Sequence, residues 1–208
     1  MSTRALYDKW STTYDEVENK TRDLEKRACQ SVLGNVGFGS VLELGAGTGK
    51  NTSWLADRAK SVLSVELSSE MQSVARAKVA ERNVEFRLAD IREEWNFVED
   101  HVDLVTCSLI LEHIEDLEPV FKDAAASLEP GGHFYVCELH PFKQYIGSKA
   151  RFDMNGETHV LECYQHHISD YTDAAATGGF AIVKIDEWFD DEDPKEIPRL
   201  ISFLFKLN

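Results

Sequence analysis

Leu42–Lys50 reads LELGAGTGK, and this stretch decides the architecture because it joins an apolar run to an amphipathic one. Ser40–Leu44 (SVLEL) has the pattern of a buried strand, and the stretch through Trp54 and Leu55 has that of a helix. Between them Gly45, Gly47 and Gly49 occupy alternate positions. Glycine lets the chain turn sharply and lets a ligand approach the backbone where a Cβ would clash. The helix that follows points its free N–H groups at whatever lies there. A plain strand–helix turn needs fewer glycines, so the pattern favours a loop that cradles a ligand.

The same alternation continues outward. Ser61–Glu66 (SVLSVE) is a second strand, after which Ser68 can cap a helix with Glu70 in its first turn. Met71, Val74, Ala75 and Val79 give that helix one apolar face. Asn83–Ala89 alternates as a third strand with Val84, Phe86 and Leu88 on one side, and Val102–Cys107 is a fourth. A helix with Val120, Phe121, Ala124, Ala125 and Leu128 on one face is stopped by Pro130-Gly131-Gly132, and His133–Glu138 is a fifth strand. Strands alternating with helices imply right-handed crossovers and a mostly parallel sheet covered on both faces.

The two ends differ from the middle. Residues 1–35 look like a helical cover, with Leu24, Ala28 and Val32 at spacings of four. Residues 140–168 read as an irregular insertion on the substrate side. Ser169–Thr177 is a short helix stopped by Gly178-Gly179. Phe180–Phe189 and Leu200–Leu207 are strands joined by DDEDPKEIP, whose Asp190–Asp193 reads as a solvated turn. A link that short makes an antiparallel pair. With no repeat or linker in view, residues 1–208 read as a single domain.

Composition narrows the partners. The chain has 208 residues, 22 basic and 37 acidic, for a net charge of −15. Such a field repels nucleic acid and anionic membranes unless a local basic patch overrides it, and there is no Lys/Arg run. Small molecules or protein surfaces are therefore the expected partners, with a small-molecule substrate first and no nucleic acid or membrane; a monomer or homodimer is expected. No apolar run approaches the ~18–20 residues of a membrane-crossing helix, and MSTRALYDKW lacks the apolar core of a secretory signal. Cys29, Cys107, Cys137 and Cys163 form no CxxC pair. They read as small buried hydrophobes of a cytoplasmic protein rather than as disulfides or zinc ligands.

The loop itself restricts the ligand. A dinucleotide fingerprint is G-x-G-x-x-G, whereas here the spacing is G-x-G-x-G with Lys50 in place of the third glycine. No GK[ST] follows four spacer residues, so it is not a Walker loop. Glu43 stands two residues ahead of Gly45. Like charges ~4 Å apart cost roughly 4 kcal/mol at an effective dielectric of 20, which disfavours a pyrophosphate there and suits a ligand bearing an ammonium and a sulfonium.

Glu43–Gly49 (ELGAGTG) resembles the first motif of class I S-adenosylmethionine-dependent methyltransferases, and later segments match that family in order. Glu66, 21 positions after Gly45, stands where the family places an acid on the two ribose hydroxyls. Asp90 in LADI, with Ile91 beside it, stands at the family's adenine-contacting acid. Thr106–Ile114 (TCSLILEHI) resembles the stretch beneath the methionine portion, and Leu128–Val136 (LEPGGHFYV) the lead into the fifth strand. The match is in register over 40–140 and looser over 164–208. It implies a Rossmann-like three-layer αβα sandwich whose seven-stranded, mostly parallel sheet has its last strand antiparallel. It also implies S-adenosylmethionine as cofactor and methyl transfer to a small molecule. The cofactor-binding residues implied are Tyr14, Glu43, Gly45, Ala46, Gly47, Gly49, Glu66, Leu67, Met71, Asp90, Ile91, Cys107, Ser108 and Leu109.

Other candidates carry two readings each. Tyr7, Trp10 and Tyr14, three and four apart, are either a stripe packed on the sheet or a cover over the cofactor's methionine end, with Tyr7 toward substrate. His113 follows the fourth strand and is either a general base or a hydrogen-bonded structural histidine. His140 and His166 are further substrate-side candidates, and no helical H-x-x-x-H spacing supports a metal. No Asn-Pro-Pro-Tyr-type motif follows the fourth strand, which disfavours amino-methylation of nucleobases. A non-catalytic cofactor-binding protein and a dinucleotide-dependent oxidoreductase are the alternatives.

Overall fold

The computed structural model describes residues 2–16, 18–154, 156–190 and 196–208. Two helices come first, α1 (Thr3–Trp10) and α2 (Lys20–Leu33). The alternating core follows: β1 (Ser40–Leu44), α3 (Thr52–Ala56), β2 (Ser61–Glu66), α4 (Ser69–Lys78), β3 (Val84–Leu88), β4 (Val102–Ser108), α5 (Glu118–Ser127) and β5 (Leu128–Leu139). The last part holds α6 (Pro141–Tyr145), β6 (Arg151–Met154), β7 (Glu157–Val160), α7 (Ile168–Thr177), β8 (Phe180–Trp188) and β9 (Leu200–Leu207). Seven strands form one sheet in the order β3-β2-β1-β4-β5-β9-β8. β9, the last strand in sequence, runs antiparallel to both β5 and β8, while β1 to β5 pair in parallel.

Period-two burial explains the two layers. Along β1, Leu42 and Leu44 join the core shared with α5 and α7, whereas Val41 joins the one shared with α2 and α3. Val105 and Leu104 divide in the same way on β4, as do Phe134 and Tyr135 on β5. A sheet buried on both faces needs such continuous apolar strands. The apolar stripe Leu24, Ala28 and Val32 covers one face, and Val120, Phe121 and Ala124 cover the other.

Strand order reverses between β1 and β4, and crevices open at the carboxyl ends of strands at such a switch. The register fixes what meets there. Leu44 lies opposite Val65 on one side and Cys107 on the other, so the glycine loop, Glu66 and Ser108 emerge on one rim.

Three sequence readings are corrected. Residues 140–168 are not irregular throughout, because α6 and the β6–β7 hairpin lie within them. The hairpin is held by Phe152 and Leu161 packing against Leu6 and Trp10, a contact with the far end of the chain that no local period reveals. α5 ends at Ser127, and Pro130-Gly131-Gly132 lies inside β5, where the register against β4 shifts between Val102 and Leu104. Leu88 is exposed because β3 is a sheet edge. Of Asp190–Asp193, only Asp190 falls within the described residues. No helix among them is long and apolar enough to cross a membrane.

Candidate functional site

A cleft of about 1160 Å³, its mouth included, opens above the carboxyl ends of β1, β2 and β4. Its floor is the glycine loop. Gly45, Gly47 and Gly49 have φ of 64°, 56° and 77°, the left-handed region that side chains rarely adopt. A Cβ on Gly45 would come within 2.3 Å of Ile110, and one on Gly49 within 3.2 Å of both Ala75 and Val79. One on Gly47 would meet nothing within 4 Å. Gly47 is thus the open backbone on the cleft floor, while Gly49 serves close packing on α4 and does not line the cleft.

Three carboxylates surround that floor. Glu66 ends β2, with Oε2 accepting the Gly47 N–H and Oε1 the Ser68 N–H, both at 2.8 Å. Burial raises its pKa, against those two bonds. Glu43 is buried and accepts from the Thr52 hydroxyl at 2.6 Å. Burial pushes its pKa up to about 7, and the Glu25 and Glu66 charges push the same way. Asp90 is gripped by the Arg92 guanidinium, with bonds of 2.9 and 2.6 Å, and that contact lowers its pKa. Ala46, Leu67, Met71 and Ile91 complete the wall between Glu66 and Asp90.

Sequence reasoning missed a second charged group. Arg22 and Glu25, on α2, and Lys50 and Asn51, beyond the glycines, all line the cleft. Asn51 Nδ2 donates to both Glu25 oxygens at 3.0 Å, and burial raises the Glu25 pKa. Lys50 Nζ makes no hydrogen bond, stands 3.8 Å from Asp23, and has its pKa lowered by burial. The signal lay in α2: an Arg and a Glu at positions 22 and 25 continue the stripe of Cys29 and Val32, placing charges on a buried face.

The N-terminal segment covers the cleft. Tyr14 lies under the Arg22 guanidinium, 4.1 Å from its ring centre, and burial raises its pKa to about 12. Trp10 packs on Tyr14 and on Phe152 at 4.8 Å each, and it faces the hairpin rather than the cleft. Two aspartates fasten this cover. Asp8 accepts from the Ser68 hydroxyl at 2.6 Å, and Asp15 from Thr48 at 2.8 Å and Lys78 at 2.6 Å. Each clasp joins the cover to the loop, or to the helix beside the loop, that frames the floor.

The chain leaves β4 through Ser108 and Leu109, both on the cleft wall. Leu109 has φ 58°, the one non-glycine residue with positive φ among those described. Holding a branched side chain there stores roughly 1–3 kcal/mol of strain, of the kind that clusters at ligand sites. A 3-10 turn, Leu111–His113, then brings His113 to the cleft.

The remaining predicted residues separate. Cys107 is fully buried in the sheet core and does not line the cleft. His140 is buried outside it: Nδ1 accepts the Phe142 N–H at 3.2 Å, capping α6, and Nε2 donates to Glu187 at 3.0 Å. His166 is also buried outside it, with Nε2 facing the Ile114 carbonyl at 2.8 Å. Tyr7 and His113 do meet at the cleft, hydroxyl to Nε2.

Residues 42–136 match the family model described as a methyltransferase domain. A demethylmenaquinone methyltransferase from Tropheryma whipplei is 28% identical over 144 residues, 66% of this chain and 59% of its own. A ubiquinone biosynthesis O-methyltransferase from Coxiella burnetii is 29% identical over 153 residues, 70% of this chain and 64% of its own. The matches thus span less than two thirds of either relative. An S-adenosylmethionine-dependent methyltransferase from Mesorhizobium loti shares the fold, with a TM-score of 0.73 and 22% identity over 88% of this chain and 97% of that one.

Proposed function

We propose that this chain, whose residues 42–136 match a methyltransferase-domain model, is a class I methyltransferase that binds S-adenosylmethionine at the glycine loop and methylates a small molecule in the same cleft. The observation that carries the reading is the convergence on one rim of open backbone at Gly47, the Glu66 carboxylate and Asp90. The residues fit that cofactor. Each Glu66 oxygen uses one lone pair on an N–H and keeps another for a ribose hydroxyl. Lys50, without a hydrogen bond of its own, suits an amino-acid carboxylate, and Glu43 with Glu25 suits the ammonium and sulfonium. When bound, the cofactor supplies an electrophilic methyl on a leaving group that departs as a neutral thioether.

The chain holds the reactants in line and keeps water out. The aromatic cover excludes water, and the Leu109 bend shapes the wall facing the acceptor. His113 Nδ1 donates to the Glu162 carbonyl at 2.8 Å, so Nε2 carries the lone pair. The Tyr7 hydroxyl occupies that lone pair, so the acceptor's proton passes to the Tyr7 oxygen as the Tyr7 proton moves to Nε2, leaving the histidine as imidazolium. One relative is named a demethylmenaquinone methyltransferase and the other an O-methyltransferase of ubiquinone biosynthesis, which puts quinone precursors first among acceptors to try.

Tritiated-methyl S-adenosylmethionine tests this with soluble demethylmenaquinone and ubiquinone-precursor analogues, and with a small-molecule extract. The expected result is label in an extractable product, lowered about 100-fold by His113→Gln. Cofactor binding without label in any acceptor would identify a non-catalytic binder and overturn the reading.

A further inference from the structure

One buried carboxyl group outside the cleft lining holds the segment that shapes it. Glu138, near the end of β5, is 1% exposed and does not line the cleft. Its Oε1 accepts the N–H groups of Ile110 and Leu111, each at 3.0 Å. These amides follow the left-handed Leu109 and open the 3-10 turn that ends at His113. The bend at Leu109 turns them inward, away from water and from any ladder partner. A buried N–H left unmatched is costly, so this bend needs an acceptor at that spot.

From these contacts we infer that Glu138 is a positioning residue for methyl transfer, clamping the Leu109–His113 turn so that His113 and the Leu109 wall keep their places at the cleft. The inference rests on the reading of the cleft as a methyl-transfer site, and its test needs no turnover. Three features tie the clamp to the site. Leu109 N–H is already fixed to the Cys137 carbonyl at 2.9 Å, so successive amides of the turn are anchored on β5. Ile110, on the clamped amide, fills the space beside Gly45 and sets the height of the glycine loop. His113 stands two residues beyond Leu111, and its ring bonds Tyr7 on one side and Glu162 on the other. A shift of the turn therefore displaces the base, the loop and the cover together. Burial raises the Glu138 pKa to about 8, so near neutral pH much of it is the uncharged acid. Glutamine preserves that acid's shape and its carbonyl acceptor.

The test uses the full chain labelled with ¹⁵N-histidine, with the His113 signals identified through His113→Gln. Wild type and Glu138→Gln are expected to show one His113 tautomer, protonated on Nδ1, and S-adenosylhomocysteine affinities within about threefold of each other. Glu138→Leu, of similar volume but without an acceptor, is expected to mix His113 tautomers and weaken S-adenosylhomocysteine about tenfold, while the far-UV spectrum stays native. If the leucine variant is insoluble, Glu138→Asp, which withdraws the carboxyl group by one methylene, is expected to disturb His113 in the same way. Unchanged His113 signals in the leucine or aspartate variant would overturn the clamp. So would glutamine and leucine perturbing them equally. Loss of S-adenosylhomocysteine binding by the wild type would instead sink the cofactor reading and leave the His113 signals to judge the clamp.

Discussion

The Tyr7 hydroxyl donates to His113 Nε2 at 3.0 Å, joining the first helix to the turn after β4 across 106 residues of chain. The Glu162 carbonyl on Nδ1 fixes the ring's other side, so the lone pair faces Tyr7 and the cleft. Tyr7→Phe keeps the ring stacked on Trp10 and removes the hydroxyl alone. The expected outcome is methyl transfer lowered about tenfold or more, with cofactor affinity within about twofold. Paired turnover assays and calorimetry separate the two quantities.

Glu43 is expected to give cofactor binding a pH dependence. With a pKa raised to about 7 by burial, it is half protonated near neutrality in the free protein. A cationic ligand favours the carboxylate, so affinity is expected to weaken by up to about tenfold per pH unit below 7 and to level off above it. Glu43→Gln flattens that slope. Calorimetry from pH 5.5 to 8.5 reads it directly.

The same buried acids govern stability in the opposite sense. Glu25, Glu43, Glu66 and Glu138 all have raised pKa values, so the folded chain holds their protons more tightly than the unfolded one. For Glu43 and Glu138 that contribution is full below the ordinary value of 4.5 and is lost as pH climbs through about 7 and about 8 respectively, and Glu25 and Glu66 act in the same sense. Asp15, Asp90 and Asp103, with lowered values, act the other way below 3.8. Melting temperature without cofactor is expected to peak at mildly acidic pH and to fall toward pH 8. A rise over that interval would contradict the burial of these acids.

Two glycines of one loop are expected to fail differently. Gly49→Ala adds left-handed strain and overpacks Val79 and Ala75, a destabilisation of about 2–5 kcal/mol with little change in affinity while the protein is folded. Gly47→Ala carries about 1–2 kcal/mol of strain but projects into the cleft, so affinity for S-adenosylhomocysteine is expected to drop more than tenfold. Thermal melts beside titrations distinguish them.

Much of this was readable in the sequence because it is written locally. LELGAGTGK, the terminal acid Glu66 and Asp90 sit at strand ends, where alternation places them on one rim. Gly49 shows the limit: its spacing matches its neighbours, but its space is taken by α4, which only packing reveals. Cys107 failed for a similar reason, since period two turns it into the core while Thr106 and Ser108 face the cleft. His140 and His166 found helix-cap and backbone partners that sequence position does not disclose. Arg22 and Glu25 left only the trace of charges on the buried stripe of α2, and the hairpin left none, because their places arise from contacts between distant segments.

The cover should open at its clasps. Asp15 ties the N-terminal segment to Thr48 and Lys78, and Asp8 ties it to Ser68. Trypsin is expected to cut the free protein near Lys20 faster in Asp15→Ala than in wild type. S-adenosylhomocysteine should slow the cut in wild type more than in the variant. Equal rates would show that these clasps do not hold the cover.

An adenosyl cofactor in the rim framed by Gly47 and Glu66 would place its ribose hydroxyls on the Glu66 carboxyl group. Isothermal titration of wild type and Glu66→Ala with S-adenosylhomocysteine measures this most directly. The wild type is expected to show a single site and the variant an affinity about 100-fold weaker, from two lost hydroxyl bonds to the buried carboxyl group. Absence of heat at millimolar ligand, or equal affinity in the two proteins, would contradict it.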